Sequence, residues 1–500
     1  MLRKIRIVLA AIFFIAITLC FLDFTGTIHA YLGWMTKIQF LPAVLALNVG
    51  VVIALVLLTL LFGRVYCSVI CPMGVLQDII SGIHNRSKKA RARFAFSPAK
   101  NVLRYAFLVL FVVLMVAGLA QVASLIAPYS AFGRIASNLL QPVYIGINNY
   151  FAAVAEHYDS YAFYHFDTWL KSGISLAVAV ATLVVIAVLA WRNGRTYCNT
   201  VCPVGTVLGL ISRFAIFRPQ IDLSKCNGCT LCSRKCKASC IDAKNHKIDY
   251  SRCVACMDCV ENCAQKAISF RSIIGAKPQH HEACAQDGEK ADTGRRTFLT
   301  LTSLFALGSA VKAQESKVDG GLAAIAEKKV PTRSHHITPP GSRSHRNVAQ
   351  HCTACQLCIS ACPNGVLRPS ASLDRLMQPE MSYERGYCRP ECNRCSQVCP
   401  TGAIRPTDLA EKTAIQIGHA VWIPENCIVN SQGVKCGNCA RHCPNGAIKM
   451  MPKDENNPES PLFPVVDAAR CIGCGACEYV CPSRPFSAIY VEGNSKHQEV

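Results

Sequence analysis

Six runs of four cysteines constrain this chain more than any other feature. Two stand in mid-chain: Cys226, Cys229, Cys232 and Cys236, then Cys253, Cys256, Cys259 and Cys263. Four lie nearer the C-terminus: Cys352, Cys355, Cys358 and Cys362; Cys388, Cys392, Cys395 and Cys399; Cys427, Cys436, Cys439 and Cys443; Cys471, Cys474, Cys477 and Cys481. The spacing C-x₂-C-x₂-C-x₃-C sets three thiolates around one face of a cubane and sends the fourth to a neighbouring cluster. Such repetition predicts six [4Fe–4S] clusters. Zinc sites use paired C-x₂₋₄-C elements across a spacer, without a third cysteine three residues on. Disulfide frameworks belong to small secreted domains with little core, and this chain has 500 residues. The four C-terminal runs carry Pro363, Pro400, Pro444 and Pro482 after their last cysteine, as the pattern expects. Lys237 and Ala264 hold that place in mid-chain, so the fourth ligand is less fixed there and Cys240 is an alternative to Cys236.

Apolar residues gather before residue 192 and lift the mean hydropathy to +0.26. Four stretches approach the length of about 20 residues that a bilayer demands: Ile7–Leu22, Phe40–Phe62, Tyr105–Ile126 and Ile174–Trp191. Lys and Arg crowd the start of the chain, the connection after the second span (Arg64 to Lys100) and the segment after the fourth (Arg192 to Arg218). The other two connections hold Lys37, Arg134 and Lys171. By the positive-inside rule both ends of this bundle face the cytoplasm. The same rule accounts for the net charge of +21, so no nucleic-acid partner is needed to explain it.

GRVYCSVICPMG, from Gly63, recurs as GRTYCNTVCPVG, from Gly194, each copy following an even-numbered span. Two units repeated in parallel are typically related by an axis along the membrane normal. That symmetry brings Cys67, Cys71, Cys198 and Cys202 together at the cytoplasmic face. Four convergent thiols are suited to ligating metal, cycling through a disulfide or touching the clusters; otherwise the repeat caps helices. None of the spans holds a histidine, which argues against a haem inside the bundle.

A second export feature follows the mid-chain runs. Arg295, Arg296, Phe298 and Leu299 precede about a dozen mostly apolar residues, the pattern of a twin-arginine signal. Val311-Lys312-Ala313 supplies a cleavage site. Four spans leave the paired arginines in the cytoplasm, where such a signal must start.

These motifs, in this order, resemble a pair of known proteins. Residues 1 to about 290 are similar to the NapH/MauN membrane ferredoxin family, and residues from about 293 to 500 to its partner, the NapG/MauM periplasmic ferredoxin. The resemblance implies a fusion of the two, with a multidomain fold: a four-helix transmembrane bundle plus α+β bacterial-type 2[4Fe–4S] ferredoxin modules. Its expected parts are a four-span domain (1–217), a cytoplasmic ferredoxin (218–271), a polar linker (272–294), the signal (295–313), a flexible tether (314–350) and a periplasmic ferredoxin (351–500). The resemblance also implies a quinol dehydrogenase that takes electrons from menaquinol or ubiquinol. They pass to a periplasmic terminal reductase or its cytochrome partner, most often nitrate reductase, and the twin-arginine machinery exports the outlet module. Quinol oxidation needs a proton acceptor near the membrane surface, for which His29, His157 and His165 are candidates, with Glu156, Asp159 and Asp167 beside them. The alternative is a metallocentre assembly factor, disfavoured because the chain starts on a span and ends in cysteine runs. Pairing among the four C-terminal runs is open to neighbours, or to first with fourth and second with third.

Overall fold

A computed structural model describes residues 2–86, 94–160, 162–273, 326–454, 456, 457 and 460–499. The twin-arginine segment 295–313 and nearly all of the linker 272–294 lie outside the described residues.

Among the described residues, two helices are long and apolar enough to cross a membrane, Leu2–Leu22 and Gly173–Asn193. The other two stretches of the expected four-helix bundle are each interrupted. Phe40–Leu45 stops before Val49–Phe62 starts, because the Asn48 side chain accepts from the Val51 N–H at 3.4 Å and caps a new helix. Asn101–Val116 stops ahead of Gly118, whose φ of +77° is left-handed, and Ala120–Ala123 follows. Hydropathy averages over such single-residue breaks. Shorter helices pack between the long ones, and Pro128–Ile135 is buried at every residue.

Small side chains face the packed interior, among them Ala16, Thr59, Ser175, Ala179 and Ala190. Large apolar side chains such as Ile12, Ile53, Leu57, Val109, Val113 and Val185 point outward. That inverts the usual soluble pattern, where extended exposed apolar surface is rare.

Each cysteine module is closed by antiparallel strand pairs. Phe217–Ile221 pairs with Ile268–Ser272, Pro219 opposite Phe270, around the two mid-chain runs. Ile415–Trp422 pairs with Ile489–Glu499, Trp422 opposite Ile489, around the last two. The described part of the expected tether, 326–350, is laid against the C-terminal module. Ile337 is buried, Arg333 meets the buried Glu478 at 2.6 Å, and Ser344 bridges to Lys496. Its polar residues find partners on the module in place of an apolar core of their own.

The modules sit at opposite ends of the long N-terminal helix, whose 21 residues span about 30 Å. At its start, Arg3 pairs with Asp258 at 2.7 Å, and Lys237 joins Asp258 and Asp78 at 3.1 and 3.7 Å. Just past its end, Arg394 donates to the Phe24 carbonyl at 3.0 Å. Gln356 links Asn138 to Ser175 at 2.7 and 2.6 Å, Gln141 donates to the Ser360 carbonyl, and Arg368 and Arg385 lie over the Trp169 ring. At Gly133 an added Cβ would collide with the Cys355 carbonyl and the Phe21 ring, so helix Pro128–Ile135 meets the C-terminal module backbone to backbone.

Candidate iron–sulfur centres

Several cysteine loops curl tightly around a hollow. The residue after the second cysteine is left-handed in four runs: Thr230 (φ +55°), Met257 (+62°), Gln356 (+65°) and Gly475 (+78°). Non-glycine residues held there cost of order 1–3 kcal/mol each and cluster at functional sites. In two runs the first cysteine stands farther off, Cys388 before Cys392 and Cys427 before Cys436, yet each still faces its cavity.

The cavities show which thiols belong together. Cys226, Cys229 and Cys232 share one with Cys263, and Cys388, Cys392 and Cys395 share one with Cys362. Cys427, Cys436 and Cys439 meet Cys481, and Cys471, Cys474 and Cys477 meet Cys443. The complementary sets are also gathered: Cys259 with Cys253, Cys256 and Cys236, and Cys358 with Cys352, Cys355 and Cys399. In each of the four cavities, neighbouring runs therefore exchange a fourth cysteine. Cys240 lies beside the second of these mid-chain sets, its Sγ 3.5 Å from that of Cys236.

The lining fits a cluster. Each of the four cavities is lined by four cysteine side chains. Backbone N–H groups of Ala447, Ala488 and Ile404 reach the Sγ atoms of Cys443, Cys481 and Cys399 at 3.2, 3.3 and 3.5 Å. Such hydrogen bonds to sulfur help to set a cluster's reduction potential.

Cys67, Cys71, Cys198 and Cys202 are all buried where the helices meet the mid-chain module. Their repeats are reciprocal. Arg64, in the first copy, donates to the Cys198 carbonyl at 3.0 Å; Arg195, in the second, donates to the Cys67 carbonyl at 2.7 Å. Each guanidinium passes over the glycine that ends the opposite copy, so a Cβ at Gly74 or Gly205 would collide with Arg195 or Arg64 and with a cysteine carbonyl. Gly74→Ala and Gly205→Ala should each destabilise by about 1–3 kcal/mol, the usual cost of overpacking. Gly82→Ala, with open space around its Cβ, should be neutral or stabilising. Thermal unfolding of the three variants in detergent checks the contrast.

The quinol-site candidates separate. His157 and His165 are exposed. His29 is half-buried, its backbone N–H donates to Asp23 at 2.8 Å, and its ring Nε2 is buried without a partner. Burial pushes the His29 pKa down. Asp23 escaped sequence analysis; it is buried and also receives the Thr25 and Gly26 N–H groups. Its position just past a hydrophobic stretch was the available signal.

A 4Fe-4S binding domain family matches residues 44–91 and 174–223, and a 4Fe-4S dicluster domain family matches 351–403 and 434–484. Both define the class of [4Fe–4S] cluster-binding proteins. The methylamine utilization ferredoxin-type protein MauM of Paracoccus denitrificans is 32% identical over 38% of this chain and 85% of its own length. The chain belongs to the ferredoxin-type family that includes MauM. It is also similar to ferredoxin-type protein NapH of Escherichia coli, 28% identical over 39% of this chain and 55% of NapH. An uncharacterized protein of Methanocaldococcus jannaschii is 43% identical over 13% of this chain. The chain spans only 26% of that archaeal relative and 47% of the putative electron transport protein YccM of Escherichia coli. No solved structure matches. These relatives and the cysteine modules support an electron-transfer role.

Proposed function

We propose that this chain is the electron-transfer component of a membrane quinol dehydrogenase, a NapH/MauN-type unit fused to a NapG/MauM-type unit. The observation that carries the proposal is the docking of two cysteine modules at opposite ends of one set of apolar helices. Lys and Arg around the mid-chain module favour the cytoplasm for that end. The twin-arginine pattern before the C-terminal module favours the periplasm for the other, and the outward apolar side chains favour lipid between them.

Six [4Fe–4S] clusters held by the 24 cysteines of the runs would supply acceptance and donation of single electrons. A quinol gives up two electrons and two protons in becoming a quinone, so the chain must receive the electrons singly and shed the protons separately. Of the three histidines, His29 is best placed to take a proton, with an unpartnered ring nitrogen near the end of the first long helix. The NapH resemblance makes a periplasmic nitrate reductase the acceptor to test first.

Membranes holding the chain, treated anaerobically with a reduced quinol analogue, should develop the EPR signals of reduced clusters. His29→Gln should slow their appearance by about 10²–10⁴-fold, the usual contribution of a positioned base. If no cluster is reduced and periplasmic nitrate reduction survives deletion of the gene, the quinol assignment fails.

A further inference from the structure

Outside the six runs, the repeated motifs leave a charge imbalance in the core. Arg64 is fully buried and forms no ion pair among the described residues. Its guanidinium is held by Asn199, the Ser251 carbonyl and the Cys198 carbonyl, with Cys67 Sγ at 3.8 Å, and its Nε has no partner. Arg195, equally buried, lies 3.9 Å from Cys198 Sγ and shares Asp78 with Arg6 and Lys237. One carboxylate thus faces three cations, one of which also pairs with Asp258, while Arg64 has none. Buried charges without partners are strongly disfavoured, and proteins pair them or set them against metal centres.

Four neutral thiols would leave that imbalance in place. Four thiolates on a dicationic iron–sulfur core make a dianion, which offsets positive charge from the buried Arg64, Arg104 and Arg195. Donors to sulfur are already present. Gln77 Nε2 lies 3.1 Å from Cys198 Sγ, and the Gly205 N–H lies 3.2 Å from Cys202 Sγ. We propose that Cys67, Cys71, Cys198 and Cys202 together hold one further iron–sulfur cluster on the pseudo-two-fold axis of the repeat. The 4Fe-4S binding domain family matches the two copies separately, with two of these cysteines in each; a four-thiolate site requires both.

The location gives the site a task. On one side Arg64 and Arg104 hold Ser251, two residues from Cys253 of the mid-chain module. On the other, Tyr197, adjoining Cys198, donates to the Ile126 carbonyl at 2.8 Å, next to the buried Pro128–Ile135 helix. Phe21, Tyr129 and Phe132 fill the space from there to Gly133 and Cys355, with ring centroids 5.6 and 6.2 Å apart. An electron received from the mid-chain side is matched by one released towards Cys355, or the reverse, with no bond made and no proton moved.

The test needs no turnover, so its failure is distinct from failure of the quinol assignment. The full chain is purified anaerobically in detergent, and iron and acid-labile sulfide are counted per chain. Cys67→Ser, Cys198→Ser and the double variant should each lose the same one cluster's complement, leaving the signals of the six runs intact. Arg64→Gln, which keeps all four thiols, should lower the midpoint potential of one signal alone. Unchanged iron in the cysteine variants would overturn the proposal. So would alkylation mass spectrometry finding these four cysteines free or disulfide-linked in fully loaded wild-type protein, or an Arg64→Gln variant with no shifted signal.

Discussion

Asp78→Asn should cost about 3–5 kcal/mol of stability, the usual penalty for removing one partner from a buried ion network. Asp78 joins three parts of the molecule: Arg6 on the first helix at 3.0 Å, Arg195 in the second repeat at 2.9 Å and Lys237 in the mid-chain module. Neutralising it leaves two buried guanidinium groups and an ammonium facing one another. The exposed pair of Arg3 with Glu261 is the control, and Glu261→Gln should cost no more than about 1 kcal/mol. Denaturant unfolding in detergent and proteolysis of the mid-chain module measure both. The same carboxylate sets an acid limit. Burial alone would raise its pKa, but Arg195, Lys237 and Arg6 outweigh that and hold it well below the ordinary carboxylate range. A carboxylate held low in the folded state contributes fully above its unfolded value of about 4, and the contribution is lost as pH falls through the folded value. Docking of the mid-chain module should therefore be flat near neutrality and weaken in acid.

The second large effect concerns which cysteines act as one centre. Cys362→Ser should remove the centre bounded by Cys388, Cys392 and Cys395, and spare the one bounded by Cys352, Cys355 and Cys358. Iron counts of double variants make this decisive, because substitutions within one unit are not additive. Cys362→Ser with Cys388→Ser should lose no more iron than either alone. Cys362→Ser with Cys358→Ser, two cysteines of the same run, should lose two centres. Additive loss in the first pair and none in the second would mean that each run keeps its own four thiols.

The cysteine runs made the modules legible from sequence, because cluster ligation imposes a spacing that few other chemistries share. The pairing of runs was not legible, since the fourth cysteine's destination depends on how strands such as Ile415–Trp422 and Ile489–Glu499 close the module. Hydropathy located the apolar helices but missed the breaks at Asn48 and Gly118, which act through one cap and one left-handed turn. The repeat pointed to four convergent thiols. Nothing in its spacing revealed that each arginine serves the opposite copy. Asp23 was passed over because a lone acid beside a span carries no periodic signal. The expected tether carries no signal in its sequence for where it lies; its residues 326–350 run against the module through Arg333, Ile337 and Ser344.

The central claim is that electrons cross the helical core between the two modules. Its most direct test uses fully loaded protein in sealed vesicles, with a reductant trapped inside and an impermeant oxidant outside. The outer oxidant should be consumed faster than with protein-free vesicles, and Cys67→Ser with Cys198→Ser should return the rate to that baseline. A wild-type rate no faster than protein-free vesicles would contradict the account.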